Sequence, residues 1–427
     1  MEIHDLHRIF LHCGTVITDT RKITPGCLFV ALKGDRFDAN EFAEEAIKAG
    51  AAYALIDNPN FSSVQGTILV NNTLASLQQL AKYHRQYLSV PIIALTGSNG
   101  KTTTKELIQA VLKKRFRVKA TVGNLNNHIG VPLTLLNMDL DTEMGIVEMG
   151  ANHQKEIEFL CNIALPDYGY ITNFGKAHLE GFGGYEGVIK GKSEMYDHLR
   201  ANGKTAFINN DDELQREKAA GIKSVTFGTK AGTSDVVIKS VEANPFVSVT
   251  VDETIINSNM IGIYNAANIN VAITIGLHFE VPLKDIKNAI EGYSPDNNRS
   301  QLTEKGSNKI ILDAYNANPS SMRAALTNFN QLTSQSKIAF LGDMFELGEE
   351  SLAEHRAIAE YAGNMPDINF YLVGHDFEQT GMTSNNITTF PTFEDLKTYM
   401  QSYTPSNSHI LIKGSRGMAL ERILDLI

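Results

Sequence analysis

Cysteine is scarce. Cys13, Cys27 and Cys161 are the only three in 427 residues, odd in number and far apart. With no C-x-x-C pair there is neither a zinc knuckle nor a disulfide framework, and three reduced, mostly buried thiols are expected. Positive charge is also in short supply: 38 Lys and Arg face 48 Asp and Glu, a net charge of −10. A duplex nucleic acid requires a basic face, so no nucleic-acid partner is expected. No apolar run approaches the ~20 residues of a membrane helix. The N-terminal "MEIHDLHRIF" has acids and histidines where a secretory signal carries Lys or Arg and then an apolar core. The expectation is a cytoplasmic protein that is not membrane-embedded. No internal repeat or low-complexity tract occurs, which excludes a solenoid.

What is present supports several hydrophobic cores. Hydrophobic residues make up 43% and charged residues 20%, and a chain of this length divides into about two to four domains. The pattern separates into three blocks. Residues 1–89 mix short strands ("CLFVAL", "AYALI", "TILV") with helical stretches, and the polar helix "LASLQQLAKYHRQYLS" leads to Pro91. Residues 90–295 alternate strands ("PIIALTG", "MGIVEMG", "YGYITNFG", "TAFINN") with helices, which predicts a parallel sheet covered on both faces. Residues 296–427 alternate again, through "KIILDAY", "KIAFLGD", "NFYLVG" and "HILIKGS", ending in a helix to Ile427. That pattern predicts a doubly wound, Rossmann-like α/β domain with functional loops after its strand C-termini. "KGSRG" is no G-x-G-x-x-G, so a dinucleotide site there has weak support.

The stretch "ALTGSNGKTTTKE" lacks the first glycine of G-x-x-x-x-G-K-[ST]; Leu95 stands in its place and Gly97 follows two residues later. Strand, G-S-N-G-K-T, then helix still supplies the physics of phosphate binding. Gly97 and Gly100 let the backbone through Ser98 and Asn99 turn its N–H groups inward, and the helix N-terminus adds positive potential. Lys101 would reach the terminal phosphates and Thr102 would ligate Mg²⁺, with Thr103 following. The alternative is a Gly-rich helix cap carrying a solvated lysine; the flanking strand and amphipathic helix favour the phosphate loop. A nucleotide-bound cation needs a carboxylate at a neighbouring strand end, and Glu148 in "GIVEMG" is placed for that. It is also compatible with a head group that merely reaches water. His178, after "YGYITNFG", and Lys192, in the helix beyond, carry no assignment on composition alone.

Together these residues resemble the Mur ligase family, the ATP-dependent amide-forming enzymes of peptidoglycan precursor synthesis. The family loop T-G-[ST]-N-G-K-T-[ST] fits Thr96–Thr103 throughout, and the likeness extends over nearly the whole chain. "TDTRKITPGCLFVALKGDRFDANEF", "GNLNNHIGVP", "AHLEGFGG", "DAYNANPSSM", "GDMFELGEES" and "KGSRGM" resemble the member that adds a dipeptide. Departures are Thr20 for Ser, Ala39-Asn40 for Gly-His, Leu125 for Tyr and His128 for Glu.

The resemblance implies an α/β fold of three domains: a UDP-substrate domain, a central P-loop ATPase-like domain and a C-terminal Rossmann-like domain closing over ATP. It implies ligation of D-alanyl-D-alanine to UDP-N-acetylmuramoyl-tripeptide through an acyl phosphate, by a protein expected to be a monomer. Thr102 and Glu148 would hold one Mg²⁺, with Lys101 on the phosphates; His178 would ligate a second, beside Lys192 in carbamylated form. Asn265 and Asn268 match an adenine-binding N-x-x-N, for which helix capping is the alternative, and Arg299 and Asp313 match positions reaching phosphate and ribose. Asn316, Asn318, Asp343, Lys413, Ser415 and Arg416 are candidates for closing over ATP and the dipeptide. Asp19, Thr20, Arg21, Lys33, Arg36 and Asn40 are candidates for the UDP end, and Asn126 and Asn127 for the substrate between the first two domains. The rival readings are a Mur ligase for another amino acid, a folylpolyglutamate synthase, a nucleotide-binding module without ligase activity, and a motor ATPase.

Overall fold

The apolar runs and amphipathic helices assemble, in the computed structural model of residues 1–427, around three main sheets and one small hairpin. The first sheet is parallel throughout, in the order Val16–Ile17, Leu28–Val30, Tyr53–Ile56, Thr67–Leu69. The helix Thr73–Leu88 leads out of it, started by the Asn72 side chain, which accepts from the Ala75 N–H at 2.7 Å. Arg85 on this helix fastens the first unit to the second. It donates to the carbonyls of Ala164 (3.1 Å) and Leu165 (3.2 Å) and pairs with Asp167 at 2.7 Å.

The central sheet has nine strands, and its heart is Ile92–Thr96, buried at all five positions. Burial on both faces explains the unbroken apolar run in the sequence. Met144–Glu148 pairs on one side of this strand, with Val118–Ala120 beyond it. The chain then crosses back to lay Tyr168–Ile171 on the other side, followed by Thr205–Asn209 and Lys223–Gly228. This reversal of direction makes the C-terminal end of Ile92–Thr96 a topological switch point, where open α/β sheets bind ligands.

Two expectations are corrected. The central sheet is not parallel to its end: Val236–Ala243, Phe246–Val251 and Thr254–Ile261 form an antiparallel meander. Its strands are half-buried, with Val247, Val249 and Val251 turned inward, so one face needs no helical cover. The helix expected at the C-terminus is instead two short 3₁₀ segments, Arg416–Met418 and Leu420–Asp425, separated by Ala419 at φ 48°. Leu420 and Ile423 are both buried, and a three-residue spacing returns to the same side in a 3₁₀ turn.

The third sheet has the order Gln301–Lys305, Asn308–Asp313, His409–Lys413, Lys337–Gly342, Ile368–Val373, Ile387–Phe390, parallel except for the first strand. No helix is long and apolar enough to cross a membrane.

Candidate active site

The glycine turn is shaped by two close approaches. Gly97 has φ +137°, and a Cβ there would stand 2.0 Å from Thr172 Oγ1; Gly100 has φ +79°, with Asn268 Oδ1 2.8 Å from its virtual Cβ. Both positions exclude a side chain, which is why this turn needs glycine at each of them. The segment after Tyr168–Ile171 clamps the turn. The N–H of Ser98 donates to the Asn173 carbonyl and that of Asn99 to Asn173 Oδ1, both at 3.1 Å. Thr172 Oγ1 donates to the Asn99 carbonyl at 2.5 Å.

Lys101 opens the helix Lys101–Leu112, and its ammonium donates to the turn's own carbonyls, Gly97 at 2.7 Å and Ser98 at 3.3 Å. Burial lowers its pKa to about 8, with the Glu148 carboxylate opposing the shift and Arg299 adding to it. Glu148 is 2% exposed. One carboxylate oxygen accepts from Asn126 Nδ2 at 2.8 Å; the other, Oε2, is buried without a hydrogen bond, 3.8 Å from the buried Lys105 ammonium. A native structure leaves few such oxygens orphaned. With Thr102 in the first turn of the adjoining helix, this donor set of carboxylate and hydroxyl oxygens fits Mg²⁺, a hard cation that takes oxygen ligands.

Lys192 lies behind the cleft wall, 1% exposed, donating to the Ala151 carbonyl at 3.0 Å with the Phe182 ring centred 4.8 Å from its Nζ. Burial, and then the charge of Lys101, push its pKa well down, so a neutral amine is favoured. His178 caps the short turn Leu179–Phe182 at φ 55°, and its Nδ1 is hydrogen-bonded to Glu346 from the third unit. That bond holds the Glu346 carboxyl below its ordinary range. Asn265 makes no side-chain cap. It forms a ladder instead: Thr104 donates to Asn268 at 2.9 Å, and Asn268 donates to Asn265 at 2.9 Å. The ladder fixes the helix Ala266–His278 behind the glycine turn.

These groups converge on a cleft of about 1150 Å³ between the central and third sheets, larger than the ~300–1,000 Å³ of a single small-molecule site. Ser98 to Thr103, Asn126, Asn127, Glu148, His178, Asn265, Asn268, Arg299, Asp313, Asn316, Asn318 and Lys413 all line it. Arg299 lies over the Tyr315 ring at 3.6 Å, and Lys413 pairs with Asp313 at 2.5 Å.

Other expected residues stand elsewhere. Lys33 and Arg36 line a separate shallow groove on the Lys33–Asp38 hairpin. Asp19 and Arg21 pair with each other at 2.8 Å, next to Thr20. Asn40 is fully buried and its amide is spent on Asp38, Asp57 and the Asn58 N–H, a scaffold role in place of a contact surface. Asp343 likewise accepts the N–H groups of Asp376 and Phe377. Ser415 accepts from Phe345 N at 2.9 Å, and exposed Arg416 lies 5.2 Å from the Tyr315 ring. Sequence reasoning missed Lys105 and Glu346. Lys105 follows Lys101 by one helical turn, a signal within reach; Glu346 meets His178 across 168 residues and left none.

A glycine turn at a helix N-terminus, a metal-fitting carboxylate on the adjacent strand and a second domain facing both define a phosphate-loop enzyme working on a metal-bound nucleotide. Comparison with known families makes this specific. The profile "Mur ligase family, catalytic domain" matches residues 13–90, "Mur ligase middle domain" residues 95–276, and "Mur ligase, glutamate ligase domain" residues 298–416. The chain belongs to the Mur ligase family. The UDP-N-acetylmuramoyl-tripeptide–D-alanyl-D-alanine ligase of Bacillus subtilis is 36% identical, covering 96% of this chain and 93% of that protein. The ligase of the same name from Escherichia coli is 34% identical, covering 96% and 92%. A crystal structure of MurF from Acinetobacter baumannii superposes with TM-score 0.88 at 31% identity, covering 96% of this chain and 93% of that one. MurF from Thermotoga maritima in complex with ADP gives TM-score 0.84 at 26% identity, covering 98% and 97%.

Proposed function

We infer that this chain is an ATP-dependent ligase joining D-alanyl-D-alanine to UDP-N-acetylmuramoyl-tripeptide, giving the UDP-linked pentapeptide, ADP and phosphate in peptidoglycan precursor synthesis. The names of the full-length relatives support the substrates. The observation that carries the chemistry is the orphaned Glu148 Oε2 beside the glycine turn, in a cleft shared by two domains. Boundaries near residues 89 and 295 agree with the separation of the three sheets.

The terminal carboxylate oxygen of the tripeptide attacks the γ-phosphorus of ATP; the bond to the β–γ bridging oxygen breaks and ADP leaves. The dipeptide amine nitrogen then attacks the acyl-phosphate carbon. The tetrahedral intermediate collapses by breaking its bond to the phosphate oxygen, and the expelled phosphate carries away the one proton lost from the nitrogen. Lys101 and the N–H groups at the start of its helix hold the triphosphate, and Arg299, Asp313 and Lys413 close the cleft from the far side. Thr102 and Glu148 would hold one Mg²⁺, and His178 with carbamylated Lys192 a second; ions bound there would neutralise the charge that keeps two anions apart. A carbamate forms on a neutral amine, and the low pKa of Lys192 agrees with that. Closure of the third domain over the cleft would keep water from the acyl phosphate. Asp19, Thr20, Arg21, Lys33 and Arg36 serve the UDP end. We place the enzyme in the cytoplasm, as a monomer.

Phosphate release with each substrate alone and with both tests this reading: turnover should require UDP-tripeptide and D-alanyl-D-alanine together. ATP hydrolysis that ignores both substrates would overturn it. Mass spectrometry of products from diaminopimelate- and lysine-containing tripeptides then assigns the third residue of the peptide.

A further inference from the structure

The turn that carries His178 is also where the third domain rests on the central one. Lys176 donates its N–H to Ser320 Oγ at 3.0 Å, and its ammonium pairs with Glu354. Glu180 donates its N–H to the Glu346 carbonyl at 3.2 Å, and a Cβ on Gly348 would lie 3.1 Å from Glu180 Cβ. Asn318, at the start of the helix Pro319–Gln331, donates to Asn99 Oδ1 in the glycine turn at 2.7 Å. His178 and Glu346 sit in the middle of this contact, ring nitrogen to carboxylate.

Their backbones are the second observation. His178 has φ 55° and Glu346 φ 63°, both left-handed without being glycine. Such conformations are uncommon for residues other than glycine and persist where the surroundings over-determine them, commonly at functional sites. Here two strained residues from different domains meet through their side chains. Glu346 is exposed, so burial does not explain its placement.

An imidazole that ligates a cation through one ring nitrogen is fixed in tautomer and orientation by a carboxylate accepting from the other. Nδ1 of His178 is engaged by Glu346, which leaves Nε2 as the free nitrogen of a ring that lines the cleft. We propose that Glu346 is a positioning residue for the ligation reaction. It holds His178 by Nδ1 so that cation binding at Nε2 and seating of the third domain on the central domain depend on each other. The proposal rests on the reading of His178 as a cation ligand, and supplies that site with its regulation: the site is complete only when the domains are together.

The test is Mn²⁺ titration of the full-length protein in the presence of ADP, following free Mn²⁺ by electron paramagnetic resonance, with small-angle scattering on the same samples. His178→Ala should lose a Mn²⁺ site, which identifies the site that depends on the imidazole. Glu346→Ala should weaken that same site about 10–100-fold and leave the remaining binding unchanged. Glu346→Gln, whose amide oxygen still accepts from Nδ1, should fall between Glu346→Ala and the parent. Compaction on adding ADP should then need correspondingly more Mn²⁺ in Glu346→Ala. If His178→Ala binds Mn²⁺ as the parent does, the reading of His178 as a ligand fails, and the proposal with it. If His178→Ala loses a site but both Glu346 variants bind normally, the proposal alone is overturned.

Discussion

At the scale of single residues, the cleft depends on charges held away from their ordinary state. The Lys101 ammonium, lowered to about 8 by burial, is lost from the free protein as pH rises through that value. kcat/KM for ATP should therefore fall on the alkaline side with a midpoint near 8, while kcat, measured with the triphosphate in place, should hold to higher pH. The sign for folding is opposite. Between about 8 and the ordinary 10.5 the unfolded chain binds the proton and the folded one does not, so this group alone makes stability rise with pH. Glu148 is the other decisive charge. Glu148→Gln keeps the shape and the contact to Asn126 but removes the anion, and should lower kcat by about a hundredfold or more. Titration calorimetry with Mg²⁺ should show the accompanying loss of binding. Lys192→Ala should abolish turnover, and near-normal activity in that variant would refute its assignment as the carbamylated lysine.

At the scale of elements, the first helix and the join to the central domain share a buried histidine pair. His7 on Ile3–Cys13 and His84 on Thr73–Leu88 meet ring nitrogen to ring nitrogen at 3.0 Å, and His84 also bonds the Met138 carbonyl at 2.9 Å. Burial, and then the charge of His84, hold His7 at about 4, below the ordinary 6.5. The unfolded chain takes up this proton first, so stability is lost as pH falls from 6.5 through 4. Urea midpoints measured across that range should drop with acid, and His7→Leu should flatten the drop. Most of the elements were legible: unbroken apolar runs mark strands buried on both faces, and the helix Pro319–Gln331 opens on a proline, a residue suited to the first helical position. The meander Val236–Ile261 was not, because its hairpins set their direction through pairing rather than composition. Nor was the 3₁₀ ending, which is decided by what Leu420 and Ile423 bury against.

At the scale of the whole molecule, polar contacts between the central and third domains gather on the segment Lys176–Glu180, with Asn99–Asn318, Glu106–Asn297 and Tyr264–Ser300 beside them, and the apolar core also runs from one domain into the other. Relative motion is the default expectation for domains within one chain unless their interface is large and hydrophobic. Adding ATP analogue and UDP-tripeptide should therefore shrink the radius of gyration in solution, and an unchanged scattering curve would count against closure over the substrates. By contrast, Arg85 with Asp167 fastens the first domain to the central one through buried bonds, so the motion should belong to the third domain.

Local chemistry was enough to single out the glycine turn and Glu148, because a phosphate loop is contiguous and an acid in an apolar strand stands out; His178 and Lys192 came only with the family resemblance. Tertiary structure alone decided what those residues face. It turned Asn40 and Asp343 into scaffold, put Lys105 beside Glu148, and brought Glu346 to His178. Sequence records which groups are available, but a contact between residues far apart in the chain exists only after folding has closed the loop between them.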